Sequence, residues 1–400
     1  MPRRMGRRGR TRSQAPPHRP CAGSACNAPC AARPRLHLGS DMPNHTAQQS
    51  SDLTHAARTR LDVALHRAMS TQIEHWLSAE GAATATPMHR YALVSAGQCE
   101  EGVVARMVAM QELACERLFM QTPEAEMADI GPWLVEIPTS SSESLRYALA
   151  HQAAAEALTL MASPLRLQKL SAHLRGFLSG TLLDGSSVLL RYFDPRIGFD
   201  MFAHWSDPVQ RKFSRPLAWW AGWDGDLRIR YIKGGADTEI TPSNEGVELT
   251  AEWVQAIDKA GEANLVIALL CEELETSNPP AADLLAQMHP LLRRKIAQAA
   301  LAFARRAGLA GWDNKAHACR LALLKHARFH AHPGFLDALS VARTPLNLRD
   351  VLAHTPSAVQ QGWACDRDAM LVRLCDEQSN ALLSAFNTTG GGFMSDTKTF

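Results

Sequence analysis

The sequence predicts an α/β lobe built on a mostly parallel sheet, followed by an all-α lobe. In residues 157–200, an apolar run that stops at Ser163-Pro164 is followed by an apolar stripe of helical period and then by a second apolar run. Strand, helix and strand in this order form a crossover unit, which implies parallel strands with helices on the faces of the sheet. Asp224-Gly225 lies between two further apolar runs and predicts a closing antiparallel hairpin. From residue 250 to about Leu339, the apolar residues recur only with the period of helices, and one further helix is expected at 366–385.

Charge is distributed unevenly along the chain. Residues 1–40 hold nine arginines and no acidic residue, so we expect residues 1–41 to be a disordered leader, or upstream sequence with the true start at Met42. The rest of the chain, without those nine arginines, contains 33 basic and 40 acidic residues. This mildly acidic balance argues against nucleic acid as the partner. No apolar run is long enough for a membrane span, so no membrane insertion is expected. Six of the nine cysteines are scattered singly and three lie in the leader, and their odd total argues against a disulfide framework. We therefore expect a reducing compartment and hence a cytoplasmic protein.

The first half of the chain contains the predicted elements of the α/β lobe. A helix is expected over 59–77, because its apolar residues form a single stripe: Leu61, Leu65, Met69, Ile73 and Trp76. The next expected elements are a strand at 91–95, a helix at 103–119 and a strand at 133–137. Ser142 can accept a hydrogen bond from an amide of the first turn of a helix at 145–155. The crossover unit follows, with its helix at 165–178 and its second strand at 187–193.

Composition shifts predict the domain boundaries. The polar, acidic stretch after Gly234-Gly235 has no apolar period and separates the two lobes, and Thr250 is placed to cap the first helix beyond it. The predicted organisation is a leader (1–41), an N-terminal helix and linker (42–88), the α/β lobe (89–235), a linker (236–249), the helical lobe (250–345) and a helical extension with a disordered tail (346–400).

Polar and aromatic residues at the exit of the fourth strand form the main candidate site. No glycine-rich phosphate loop, nucleophile elbow or His-Glu-x-x-His motif is present, so neither a catalytic residue nor a cofactor is predicted. Asp194 could act in an enzyme at the end of a strand, or could cap the next helix and pair with an arginine. Tryptophans near a sheet edge can anchor a protein partner, although they more often lie in a core. The residues assigned to partner binding are Arg191, Tyr192, Asp194, Pro195, Arg196, Trp219, Trp220 and Trp223.

A histidine cluster in the helical lobe offers an alternative. His326 and His330 are spaced four residues apart on a predicted helix, with His332 and His317 nearby. No carboxylate or cysteine lies close in sequence to complete a metal shell, and histidines near a helix C-terminus are favoured by the helix dipole. The sequence therefore favours a structural role, and no metal is predicted.

Several motifs together resemble a known family. They are Tyr-Ala-Leu-Val-Ser-Ala-Gly (91–97), Pro-Trp-Leu-Val-Glu-Ile (132–137), the helix at 165–178, Val-Leu-Leu-Arg-Tyr-Phe-Asp-Pro-Arg (188–196) and the tryptophan-bearing hairpin. The stretch from about 90 to 220 resembles the adaptor, or effector-chaperone, family of bacterial type VI secretion systems, which is encoded beside VgrG spike proteins. Residues 304–309 and 321–333 are similar to the helical lobe of that family.

The resemblance implies a cytoplasmic protein without catalytic activity. Its partners would be a toxic effector and the VgrG spike onto which that effector is loaded, with the effector held near the Asp194 turn and the tryptophan hairpin. Two other classes stay open: an α/β hydrolase or transferase that uses the polar residues at the strand exit, and a metal-binding regulator that uses the histidines.

Overall fold

Strands and helices alternate in the first part of the chain, and after residue 250 the described residues form helices and one strand of two residues. A computed structural model describes residues 44–78, 87–239, 247–342, 346–388 and 398–399. Its described strands are β1 (His89–Ser95), β2 (Cys115–Arg117), β3 (Pro132–Ile137), β4 (Leu158–Ser163), β5 (Ser179–Thr181), β6 (Ser187–Leu189), β7 (Trp219–Trp223), β8 (Ile229–Lys233), β9 (Val247–Glu248) and β10 (Lys398–Thr399). The predicted α/β region and the helical region after it are both confirmed.

The helices flank the sheet and then form the second half of the chain. The first six are α1 (Asn44–Ser78), α2 (Val103–Met110), α3 (Glu143–Ala154), α4 (Leu167–Arg175), α5 (Pro195–Ala203) and α6 (Asp207–Ser214). The next seven are α7 (Ala251–Ser277), α8 (Pro279–Gln287), α9 (Pro290–Arg306), α10 (Trp312–Leu324), α11 (Pro333–Val341), α12 (Leu348–His354) and α13 (Ser357–Thr388). No helix within the described ranges has the combination of length and apolar character that a membrane crossing requires.

The main sheet is mostly antiparallel, so the predicted parallel sheet is wrong. Its strand order is β10-β8-β7-β4-β1-β3-β2. β1 pairs antiparallel with both β3 and β4, and β4 with β7 and β7 with β8 are antiparallel as well. Within this sheet, β10 alongside β8 is the parallel pair among the described strands. β3 and β4 do run in the same direction across the connection through α3, but β1 lies between them and takes the hydrogen bonds of both.

The second strand of the predicted crossover belongs to a different sheet. Ser187–Leu189 pairs antiparallel with Ser179–Thr181, around the turn at Asp184-Gly185. Asp184 stabilises this turn, because its Oδ1 accepts hydrogen bonds from the backbone N–H and the hydroxyl of Ser186, at 2.9 and 2.6 Å. β9 adds to β5 to complete this small sheet, whose order is β6-β5-β9. The turn therefore closes a hairpin instead of ending a crossover.

The predicted helix over 103–119 is also shorter than expected. It ends at Met110, and Glu112 adopts a left-handed conformation with φ 50°. This conformation stops a helix. The chain then returns as the edge strand β2, which pairs with β3.

Each face of the main sheet is covered by helices. One face joins α1, α3 and the C-terminal helices in a single core, which contains Val94, Val135, Leu160, Trp219 and Trp223. The opposite face packs with α4, α5 and α6, and its core contains Tyr91, Leu134, Met161, Trp220 and Phe213. The alternation of side chains along each strand assigns neighbouring residues to these two cores.

Apolar stripes and caps predicted from the sequence are confirmed in several helices. All five residues of the α1 stripe are buried, and α1 packs on α3 and α13. Ser142 and Thr250 cap α3 and α7, because their hydroxyl oxygens accept hydrogen bonds from the backbone N–H of Leu145 and Trp253 at 3.1 and 3.2 Å. The predicted leader at 1–41 lies outside the described residues, and the other domain boundaries stay predictions.

Candidate functional site

The residues that connect β6 to α5 form a tight corner. Asp194 is the N-cap of α5, since its Oδ1 accepts a hydrogen bond from the backbone N–H of Arg196 at 3.1 Å. Pro195 follows at the first helical position, where its fixed φ and missing N–H are tolerated. Gly198 lies one turn further on, directly against the preceding backbone: a Cβ added there would come 2.0 Å from the carbonyl oxygen of Tyr192. This part of the corner therefore needs a glycine.

Two arginines neutralise the buried Asp194. Arg191 donates a hydrogen bond from Nη2 to Oδ2 at 2.7 Å, and Arg196 donates from Nε and Nη2 to the two oxygens at 2.9 and 2.8 Å. The Asp194 side chain is only 2% exposed. Burial alone would raise the pKa of Asp194, but hydrogen bonds and charge from Arg196, together with the charge of Arg191, hold it below its ordinary value. Such a permanently ionised and fully paired carboxylate is suited to fixing the corner and unsuited to accepting a proton.

The predicted aromatic residues lie beneath the surface. Tyr192 is fully buried and donates a hydrogen bond from its hydroxyl to the carbonyl oxygen of Leu174 at 2.9 Å. Burial raises the pKa of this hydroxyl, which therefore stays protonated. Trp219, Trp220 and Trp223 are each no more than 4% exposed, and they belong to the two cores of the sheet.

The structure separates the eight predicted residues into scaffold and surface. Tyr192, Asp194, Pro195 and the three tryptophans are buried, so their side chains do not form a contact surface in this structure. Arg191 and Arg196 have side chains that are 47% and 28% exposed. Whether either arginine contacts a partner stays a prediction.

A charged cleft begins at Arg196. It has a volume of about 620 Å³ and lies between α5, the turn of the β7–β8 hairpin, α7 and α9. Its ionisable lining residues are Arg196, Asp200, His204, Asp224, Asp226, Arg228, Arg230, Glu252, Lys259, Glu262, Arg294 and Arg305. Pockets for small molecules are lined mainly by apolar and aromatic side chains. This lining, with twelve ionisable residues, departs from that pattern.

Many of the charged side chains around this cleft form ion pairs with one another. Asp224 accepts a hydrogen bond from Arg230 Nη1 at 3.3 Å and also accepts from the backbone N–H groups of Asp226 and Arg228. Glu262 accepts from Arg305 and Lys315, each at 2.6 Å. These pairs brace α7 against α9 and α10 and set the shape of the hairpin turn.

A buried ion pair lies at the base of the cleft. Arg294 of α9 donates hydrogen bonds from both Nη atoms to the two carboxylate oxygens of Glu156, which precedes β4. The two side chains are 5% and 12% exposed. Glu156 also adopts a left-handed conformation with φ 57°. This bidentate ion pair fixes the α/β region against the helical region.

Asp200 is one of two carboxylates of the cleft, the other being Glu252, for which the described residues provide no ion pair. Asp200 lies on α5 one turn after Arg196 and is partly buried. Burial raises the pKa of Asp200, and the charges of Asp224 and Asp226 raise it further, against the opposing charge of Arg230. A cationic group that entered the cleft would stabilise the ionised form of this carboxyl.

The predicted histidine cluster has structural partners. His326 and His332 accept hydrogen bonds at Nδ1 from the backbone N–H groups of Arg328 and Gly334, each at 3.2 Å. His330 stacks on Phe303 with 5.3 Å between ring centroids. Within the part of the chain that the structure describes, no group of three or more His, Cys, Asp or Glu side chains is arranged to hold a metal ion.

The cleft could not be identified as a unit from the sequence, although parts of it carry recognisable signals. Asp200 lies four residues after Arg196, which places both on one side of α5. The alternation of Arg228 and Arg230 with Ile229 is typical of a strand with one solvated face. The contribution of α7 and α9 could not be found in this way, because nothing local in their sequences specifies which strand they approach.

Comparison with known proteins adds one match. Residues 90–212 match the family model described as "Domain of unknown function (DUF4123)". This region runs from β1 into α6 and includes the whole Asp194 corner. The chain has no significant match among curated proteins or among solved structures.

Proposed function

We propose that this protein is an adaptor of a type VI secretion system, which holds a toxic effector and promotes its loading onto the VgrG spike. The observation that carries the proposal is the coincidence of the DUF4123 match at 90–212 with the motifs that resemble the adaptor family. In this proposal the protein is cytoplasmic and does not catalyse a reaction. The Asp194 corner stabilises the scaffold, and the partner binds at another surface.

The charged cleft is the surface that suits this role best. Its walls come from both the α/β region and the helical region, and the Arg294–Glu156 pair fixes them together at its base. A polypeptide segment that carries charges of both signs can exchange its hydrogen bonds with water for ion pairs with the lining residues. Complementary charge of this kind contributes more to partner specificity and association rate than to affinity.

An alternative function as a hydrolase or transferase has less support. It would use Asp194 as its polar group at the strand exit, but this carboxylate accepts hydrogen bonds from two arginines and a backbone amide. Its lowered pKa makes it a poor general base at neutral pH. No observation on the described residues favours a substrate over a protein partner.

The test is affinity capture of the tagged full-length protein from its own cells, followed by mass spectrometry. A VgrG-type spike protein and a large toxin are expected in the captured fraction. Asp226→Arg changes a partly exposed charge of the cleft and is expected to reduce the captured effector, while Asp337→Arg, on the exposed side of α11, is the matched control. Recovery of neither protein with the wild-type chain would overturn the proposal.

A further inference from the structure

One tryptophan of this chain lies at the surface. Trp312 opens α10 and is 41% exposed, whereas the other eight tryptophans are each at most 7% exposed. It lines two adjoining pockets of about 300 and 400 Å³, which also share Asp313, His317 and Arg349. We call these pockets together the α7–α10 groove. All of its lining residues belong to the described part of the chain, and none of them lines the charged cleft.

Apolar side chains of α7 lie opposite this tryptophan. Val266 and Leu270 line the groove and are almost fully buried. Leu269 also lines it and is 44% exposed, and Leu265, one helical turn earlier, is 53% exposed. Exposed apolar side chains that lie together mark interaction sites, and tryptophan and arginine are enriched among the residues that dominate binding at protein interfaces. An apolar side chain of a partner can therefore pack between Leu269 and Trp312.

Polar contacts hold the walls of the groove in place. Glu262 of α7 accepts a hydrogen bond from Lys315 of α10 at 2.6 Å. Further along the same two helices, Glu273 accepts from Arg320 at 3.0 and 3.2 Å. These two ion pairs fix the spacing of α7 and α10 before a partner binds. A surface that is already ordered loses less conformational freedom on association, which favours binding.

The charges around the groove favour an anionic partner. Glu273 is already paired with Arg320, whereas Arg349 of α12 is exposed and forms no ion pair with the described residues. Burial lowers the pKa of His317, and the positive charges of Arg349 and Arg320 lower it further. Asp313 lies in the first turn of α10, where the positive end of the helix dipole stabilises it. A carboxylate that entered beside Arg349 would therefore gain an ion pair without breaking one.

We propose that the α7–α10 groove binds an acidic amphipathic helix of a partner protein. The apolar face of that helix packs between Leu269 and Trp312, and a carboxylate on its polar side pairs with Arg349. Apolar grooves accept amphipathic helices in this way. Each segment of this chain outside the described ranges contains at most one acidic residue, so charge complementarity favours a partner protein as the occupant. This site goes beyond the proposed function, and it does not depend on which protein supplies the helix.

The test replaces Leu265 of the full-length protein by the photo-cross-linking residue p-benzoylphenylalanine, in the cells that produce the protein. Leu265 is exposed one turn from Leu269, so the lining of the groove stays intact. Mass spectrometry then maps the cross-linked segment. The expected product joins this chain to a second protein, at a segment with apolar residues of helical period and several acidic residues. The same replacement at Leu336, which is 44% exposed on α11, is the control and should not give this product.

Each other outcome of the cross-linking overturns the proposal. A cross-link within one chain would assign the groove to a segment of this protein, and a cross-link between two copies would assign it to self-association. A product with a segment of different chemistry would contradict the predicted partner. Absence of any product would show that the groove is not a binding surface in these cells.

Two substitutions in the cross-linking protein test the chemistry of the contact. Trp312→Ala removes one wall of the groove and Arg349→Glu reverses its unpaired charge, so each is expected to reduce the yield of the product about tenfold. The matched controls are Leu336→Ala and Arg373→Glu, which change exposed residues of α11 and α13 and should leave the yield unchanged. Circular dichroism and the unfolding midpoint of each variant check that the fold is retained. Equal yields from all variants would overturn the proposal.

The cross-linking result and the affinity capture of the proposed adaptor decide separate questions. If the capture recovers a toxin and a spike but no acidic helix cross-links to position 265, the groove proposal fails and the adaptor function stands. If the expected segment cross-links but the capture recovers neither protein, the groove proposal stands and the adaptor function fails.

Discussion

Replacing Asp194 by alanine should destabilise the fold far more than the loss of an ordinary charged residue. The carboxylate is 2% exposed and accepts hydrogen bonds from Arg191, from Arg196 and from the first turn of α5. Removing one partner of a buried ion pair costs about 3–5 kcal/mol, because the other charge is left without compensation. Loss of an N-cap costs about 1 kcal/mol. These effects share one side chain, so we expect a total near 4 kcal/mol.

The measurement is the free energy of unfolding from urea denaturation at neutral pH, for wild type and Asp194→Ala. Asp226→Ala is the matched control, because this residue also pairs with an arginine in the same region but its side chain is 36% exposed. An exposed pair contributes about 0–1 kcal/mol, so the control should differ little from wild type. A loss below about 1 kcal/mol for Asp194→Ala would refute the assignment of this corner as a brace.

The same residue predicts how stability depends on pH. The folded-state pKa of Asp194 lies below its ordinary value, so its contribution is complete above the unfolded-state pKa of about 3.9 and is lost as pH falls through the folded-state pKa. In acid, the difference in unfolding free energy between wild type and Asp194→Ala should therefore shrink, while from pH 5 to 8 it should stay constant. A difference that grows towards low pH would contradict the sign of this pKa shift.

Three further substitutions test the scaffold by the same unfolding measurement. Gly198→Ala should destabilise the fold by about 1–3 kcal/mol or prevent folding, because the added Cβ would lie 2.0 Å from a backbone oxygen. Gly261→Ala on α7 is the control: no atom lies near its Cβ position, so this change should be neutral or stabilising. Arg294→Ala should cost about 3–5 kcal/mol because it leaves Glu156 buried and unpaired, and a loss under 1 kcal/mol would show that water reaches this pair. Tyr192→Phe removes one buried hydrogen bond and should cost about 0.5–1.5 kcal/mol, and no measurable loss would contradict the role of its hydroxyl.

Local features were predictable from the sequence because their causes are local. The stripe of α1 from Leu61 to Trp76 is buried as expected, since a 3.6-residue period fixes one face of a helix. Ser142 and Thr250 cap their helices because a hydroxyl before the first turn satisfies an amide there. Asp194 as a helix cap paired with an arginine was one of two interpretations, and its geometry agrees with this one.

The sheet topology could not be predicted, because strand pairing depends on residues far apart in the sequence. The β3–α3–β4 connection has the length of a crossover and does return the chain in the same direction. What the pattern lacks is the information that β1 lies between these strands. In the same way, the apolar run at 187–193 predicts one strand, but only its first three residues form a strand, and Tyr192 is buried in the corner that follows.

The division between scaffold and surface decides where recognition can occur. In the most distinctive motif, 191–198, the polar side chains form hydrogen bonds within the chain. Asp194 accepts from two arginines, and the Tyr192 hydroxyl donates to a backbone carbonyl. Such a motif stabilises the fold and is not available to bind a partner. A partner that used these polar groups would break their internal hydrogen bonds and leave buried groups unsatisfied, which costs free energy. Variation in partner specificity among proteins with this corner should therefore map to groups such as Asp200 in the cleft, where side chains can change partners without unfolding the corner.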